Sequence, residues 1–101
     1  MILTFPDKIL VENLCQGTLG KYKISWSANP LATEYNVYRS RVPYGEATLI
    51  ATTSDLEYID EGFEVIDGTE CYYRVSSVRE GVESPISRYQ SAPNTTEYMT
   101  T

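Results

Sequence analysis

Short runs of alternating apolar and polar residues recur along this chain, separated by Gly, Pro, Asn and Asp. Nowhere do apolar residues hold helical spacing for three turns. A period of two sends alternate side chains to opposite faces of a pleated strand, so the pattern indicates an antiparallel sandwich or barrel. The first run is 9–14, "ILVENL", followed by a turn flanked by Gly17 and Gly20. In 21–27, "KYKISWS", Tyr22, Ile24 and Trp26 share one face, and Lys21, Lys23, Ser25 and Ser27 share the other. An apolar trio backed by lysines marks a sheet with one wet face. Asn29-Pro30 then initiates a turn.

The third run is 34–40, "EYNVYRS", with Tyr35 and Val37 inward, followed by a loop at "RVPYGEA". Residues 48–53, "TLIATT", are β-branched and strand-like. Residues 56–60, "LEYID", carry Leu56 and Tyr58 as an apolar pair, and an acidic connection, "EGFEVIDG", leads into "ECYYRVSSV" at 70–78. There Cys71, Tyr73 and Val75 alternate with Tyr72, Arg74 and Ser76. "REGVES" reads as a hairpin loop, and 86–92, "ISRYQSA", as the last strand. The expected organisation is an extension at 1–8, a domain at 9–92 and a polar, frayed tail at 93–101. Seven strands in about 85 residues, with turns every 8–12, is the spacing of a sandwich.

Size and composition agree with this reading. The chain has 101 residues, enough for one domain. A chain of that length hides roughly 60–70% of its unfolded surface, which sustains one continuous core without staples. Nine tyrosines against one tryptophan and two phenylalanines suit half-buried pleated surfaces, where the ring packs and the hydroxyl reaches water.

Charge narrows the function. The net charge is −6, and the eight Lys and Arg are scattered, so there is no basic stripe to displace counterions from nucleic-acid phosphates. Adhesion to anionic lipid is disfavoured for the same reason. No apolar run approaches the roughly 20 residues of a membrane-spanning helix. The start, "MILTFPDKIL", lacks the parts of a signal peptide, so the expectation is a cytosolic product if residue 1 is the native start. Cys15 and Cys71 are far apart and there is no histidine. Most zinc and redox readings therefore fall away, leaving two reduced, buried thiols or, as the alternative, a disulfide.

Taken together, "ISW" at 24–26, "YNVYRS" at 35–40, "YID" at 58–60, "GTECYYRVSSV" at 68–78 and "GVESPIS" at 81–87 resemble a fibronectin type III domain, in the style of its bacterial and bacteriophage members. The resemblance covers about 9–92. It implies an all-β, seven-stranded antiparallel immunoglobulin-like sandwich with strands A-B-E packed on C-C′-F-G. It implies a core anchored by Trp26, with Tyr22, Ile24, Tyr35, Val37, Tyr58, Cys71, Tyr73 and Val75 around it. Trp26→Ala should cost roughly 3–5 kcal/mol. Such sandwiches often carry a tyrosine corner at the start of strand F, where a phenol bonds back to the chain. By spacing, Cys71 occupies that place, so it reads as small apolar filling, with the corner bond lost or taken over by a neighbour such as Tyr72.

Several features could carry chemistry or contacts. Asp55, Glu57, Asp60, Glu61, Glu64, Asp67 and Glu70 form the densest charge cluster, read as a solvated rim, with a calcium site as the sharper alternative. Paired carboxylates could suggest glycoside hydrolysis, but a sandwich this small offers no evident cleft, so no enzyme, cofactor or metal is expected. Arg41, Val42, Pro43 and Tyr44 place an arginine and a tyrosine in a surface loop, as contact anchors or, for Tyr44, folded back on the neighbouring strand. The loops Asn29 to Thr33 and Glu80 to Glu83 could also meet a partner. Ile2, Leu3 and Phe5 are apolar without a strand partner and suit a neighbouring subunit, the alternative being a floppy end.

The expected function is a non-catalytic structural or interaction module. The main reading is a small bacteriophage virion protein (tail, baseplate or head decoration) that binds other virion subunits or itself in a symmetric oligomer. The alternative is a carbohydrate- or surface-adhesion accessory module of a larger secreted bacterial protein, which would place it outside the cell.

Overall fold

The computed structural model describes residues 3–14, 19–41, 45–64, 70–87 and 90–93. Its strands are β1 (Leu10–Asn13), β2 (Leu19–Ser25), β3 (Glu34–Ser40), β4 (Thr48–Thr53), β5 (Glu57–Glu64), β6 (Glu70–Arg79), β7 (Val82–Glu83) and β8 (Gln90–Pro93). They form two antiparallel sheets, β1-β2-β5 and β4-β3-β6 with β7 and β8 beyond β6. Strands β7 and β8 pair with the two ends of the same flank of β6, so together they make one interrupted seventh strand.

That last strand departs from the sequence expectation. "REGVES" is not a loop: β6 runs to Arg79, pairs with Val82, and only Glu80 and Gly81 turn the chain. Both turn residues have positive φ, 49° and 83°, the geometry of a type I′ turn, whose twist matches that of the strands it joins. The strand then breaks where Pro85 has no N–H to give to a ladder. Two serines restore what is lost. Ser84 N donates to Ser77 O (2.8 Å) while Ser77 N donates to Ser84 Oγ (3.0 Å). Ser87 N donates to Val75 O (2.9 Å) while Val75 N donates to Ser87 Oγ (2.9 Å).

The core lies between the sheets and contains Ile9, Tyr22, Ile24, Trp26, Tyr35, Val37, Cys71, Tyr73 and Val75. Its aromatic contacts are tilted, Trp26 on Tyr35 at 5.6 Å and Tyr22 on Tyr73 at 6.0 Å between centroids, as ring quadrupoles prefer. Tyr58 is half-buried and packs against this cluster. Its expected companion Leu56 does not: it sits in the bend before β5 and is exposed. An extra residue, Ile50, bulges edge strand β4 where its pairing with β3 shifts, a device that discourages edge-to-edge association.

The N-terminal residues lie against the loop after β2. Asn29 Nδ2 donates to Thr4 O (2.7 Å), Ser27 N donates to Asp7 O (3.0 Å), and Pro6 is buried. The same asparagine closes its own turn by accepting from Leu31 N (2.9 Å).

Candidate functional site

Two polar constellations stand out, one inside the sandwich and one on its surface. The inner one joins the two sheets. Alternation along β3 aims Arg39 inward, and its Nη1 meets Asp60 Oδ2 of β5 at 2.6 Å. The same oxygen accepts from Tyr73 Oη of β6, also at 2.6 Å. Burial, and then the bond to the Asp60 carboxylate, push the Tyr73 phenol well above its ordinary range. Asp60 is therefore not part of a solvated acidic rim. It is buried and held by a phenol and a guanidinium. Tyr73 Oη thus reaches a side chain on the opposite sheet, while Cys71 packs in the core. An Asp buried between a guanidinium and a phenol is an inter-sheet clasp, its charge and its Oδ2 committed to structure.

The outer constellation crosses the exposed face of the second sheet. On β3 the outward positions are Glu34, Asn36 and Tyr38; on β6 they include Arg74 and Ser76. The tight turn at 80–81 brings Glu83 of β7 alongside them. Three donors converge on one oxygen of its carboxylate: Ser76 Oγ, Tyr38 Oη and Asn36 Nδ2, the last at 3.1 Å, all to Oε2. Asn36 Oδ1 in turn accepts from Thr52 Oγ1 of β4 at 2.7 Å. The network spans β4, β3, β6 and β7. Burial works against ionising Glu83, but the bonds from Ser76, Tyr38 and Asn36 outweigh it and hold the carboxyl below its ordinary range. Burial and the same contact with Glu83 raise the Tyr38 phenol. Both shifts agree on an ionised Glu83 accepting from a neutral Tyr38.

Of the anticipated contact residues, Arg41 is exposed and lines a shallow cleft with Arg39, Ser40, Glu46 and Thr48. Leu3 is half-buried beside Arg79, Glu80 and Val82, and Phe5 is exposed. Val42, Pro43, Tyr44 and Ile2 lie outside the described residues, as do Cys15 and Asp67. Among the described residues, no three His, Cys, Asp or Glu side chains gather where they could hold a metal ion. Reading residues alone misses the Glu83 network because "REGVES" looks like a loop. The usable signal is the outward set 34, 36, 38 and 76, which needs a fourth-strand neighbour that only a two-residue turn supplies.

No family model matches the chain. It is 37% identical over 87 residues to an amylopullulanase of Thermoanaerobacter thermohydrosulfuricus; the match takes in 84% of this chain but only 6% of that protein's length. Its fold superposes on an Fn3-like protein from Clostridium thermocellum with a TM-score of 0.77 and 35% identity, covering 90% of this chain and 92% of that one. A further structure, FN3tt, shares the fold at 22% identity and a TM-score of 0.74, covering 92% of this chain and 95% of that one. The 35% identity to the Fn3-like protein over about nine-tenths of both chains, on the strand order described above, means that this chain belongs to the fibronectin type III family.

Proposed function

We propose that the chain is a non-catalytic accessory module of a larger, extracellular bacterial protein, one that holds its host against carbohydrate or another surface. The observation that carries this reading is the match to a small fraction of an amylopullulanase, by its name an enzyme acting on pullulan. A stretch of that kind inside a far longer chain supports a supporting part more than an active site. The polar geometry agrees: the buried carboxylate, Asp60, is committed to Arg39 and Tyr73, and the other prominent one, Glu83, stands on an open sheet face where nothing excludes water. The expected virion role draws no support from the similar proteins, and the accessory alternative fits them better.

The test is affinity electrophoresis of the 101-residue chain in gels cast with soluble polysaccharides, alongside depletion onto insoluble ones and an assay for released reducing ends. Retardation or depletion without sugar release is expected. Reducing ends released by the chain alone, or failure to bind any polysaccharide or cell surface, overturns the proposal.

A further inference from the structure

We propose that the outward face of β4-β3-β6-β7 is the binding surface, and that it takes a neutral, hydroxyl-rich polysaccharide laid across the strands, with Glu83 as acceptor and Tyr38 as the apolar contact. The inference rests on the accessory-module reading and assigns it a site and a ligand class.

The Glu83 carboxylate is gripped through one of its two oxygens. Three donors on three side chains all use Oε2, and Oε1 makes no hydrogen bond among the described residues. Glu83 is exposed, so that second oxygen is an ionised acceptor open to solvent. Its orientation is already fixed by Ser76, Tyr38 and Asn36, so a ligand donor meets it with little further ordering cost. Hydrogen bonds to an ionised acceptor are roughly twice as strong as neutral ones. The site wants O–H donors, which a sugar chain supplies at every residue.

Charge decides between ligands. A polyanion would meet the Glu83 carboxylate, Glu34 on the same face, and a molecule of net charge −6. A polycation would gain from those carboxylates but meet Arg74 at the centre of the face, directly across from Tyr38 and held there by its Nε bond to Ser87 O (2.7 Å). A neutral chain meets no like charge anywhere on the face, and its hydroxyls can donate to Glu83 and accept from Arg74. The half-buried Tyr38 offers a ring whose hydroxyl is already engaged by Glu83, an apolar body with a satisfied polar tip. Four strands span about 14 Å across the sheet. An open sheet face fits an extended polymer better than a small molecule, which needs a concave site to bury most of its surface.

The experiment compares wild type, Glu83→Gln, Tyr38→Ala and, on the opposite sheet, Lys23→Ala. Each is run in gels containing pullulan, hydroxyethylcellulose or polygalacturonate, at low and high salt. Native indole emission from Trp26 reports that each variant is folded. Wild type and Lys23→Ala should be retarded equally by a neutral polymer at both salt concentrations. Glu83→Gln and Tyr38→Ala should each weaken retention about tenfold, the loss of one good contact. Retention unchanged in both variants removes this face as the site while leaving the accessory role standing. Retardation by polygalacturonate alone, or abolished by salt, overturns the neutral ligand. No retardation of wild type by any polymer removes the inference, and the accessory role falls with it only if insoluble polysaccharides and cell surfaces also fail.

Discussion

Tyr73 shows how much a single residue does here. Its ring packs on Tyr22 within the core and its hydroxyl reaches the one Asp60 oxygen that Arg39 also holds, so one side chain serves both packing and the polar seam between sheets. Tyr73→Phe keeps the ring and deletes the bond to a charged acceptor. It should lower stability by about 1.5–3 kcal/mol in urea denaturation at neutral pH. The pH dependence follows from the raised phenol. The folded state keeps a proton that the unfolded chain gives up, so the contribution is fully present below about pH 10 and declines as pH rises above it. The stability difference between wild type and Tyr73→Phe should therefore shrink in alkali; a difference that stays constant from neutral pH to about pH 11 contradicts the geometry. The inward position of Tyr73 was legible from alternation along 70–78. Its partner was not, because Asp60 sits in an acidic stretch that looks uniformly wet until β5 turns that one carboxylate inward.

At the scale of elements, the interrupted last strand is the clearest case of side chains standing in for backbone. Pro85 interrupts the ladder, and the hydroxyls of Ser84 and Ser87 accept the N–H groups of Ser77 and Val75. Ser87→Ala leaves the buried Val75 N–H unsatisfied and should cost about 1–3 kcal/mol, with faster amide exchange at Val75 as the specific readout. The turn before it carries a different tension. Glu80 holds φ 49°, a region that L-residues enter at a cost of roughly 1–2 kcal/mol and that Asn enters far more readily. Glu80→Asn should raise stability by about 0.5–1 kcal/mol in thermal or urea unfolding; no gain means that the Glu side chain offsets the strain. Gly81, at φ 83°, has open space where a Cβ would go, so an alanine there is opposed by backbone conformation and not by crowding. None of this was visible in "REGVESPIS", whose Gly, Ser and Pro signal a loop equally well.

For the molecule as a whole, the N-terminal residues are fastened to the sandwich. Thr4 and Asp7 accept from Asn29 and Ser27, and Pro6 is buried. Removing residues 1–8 should therefore lower stability by about 1–3 kcal/mol, and Asn29→Ala should account for part of it. Equal unfolding midpoints for the full and shortened chains would show these contacts to be ornamental. The Glu83 network belongs to this scale too, since it draws one side chain from each of β4, β6 and β7 and two from β3 across a single face.

What the sequence determined by itself was the class of fold and the inward set. A period of two over 21–26, 34–38 and 71–75 selects strands and decides which side chains face the core, because the hydrophobic effect acts on each alternating run without knowledge of its neighbours. Only the tertiary structure decided which polar groups meet. The clasp of Arg39, Asp60 and Tyr73 joins positions up to 34 apart in the chain, and the Glu83 network joins positions up to 47 apart. Such pairings depend on strand order and register, and hydrogen bonds work only within a few tenths of an ångström of the right distance. No local pattern encodes that distance.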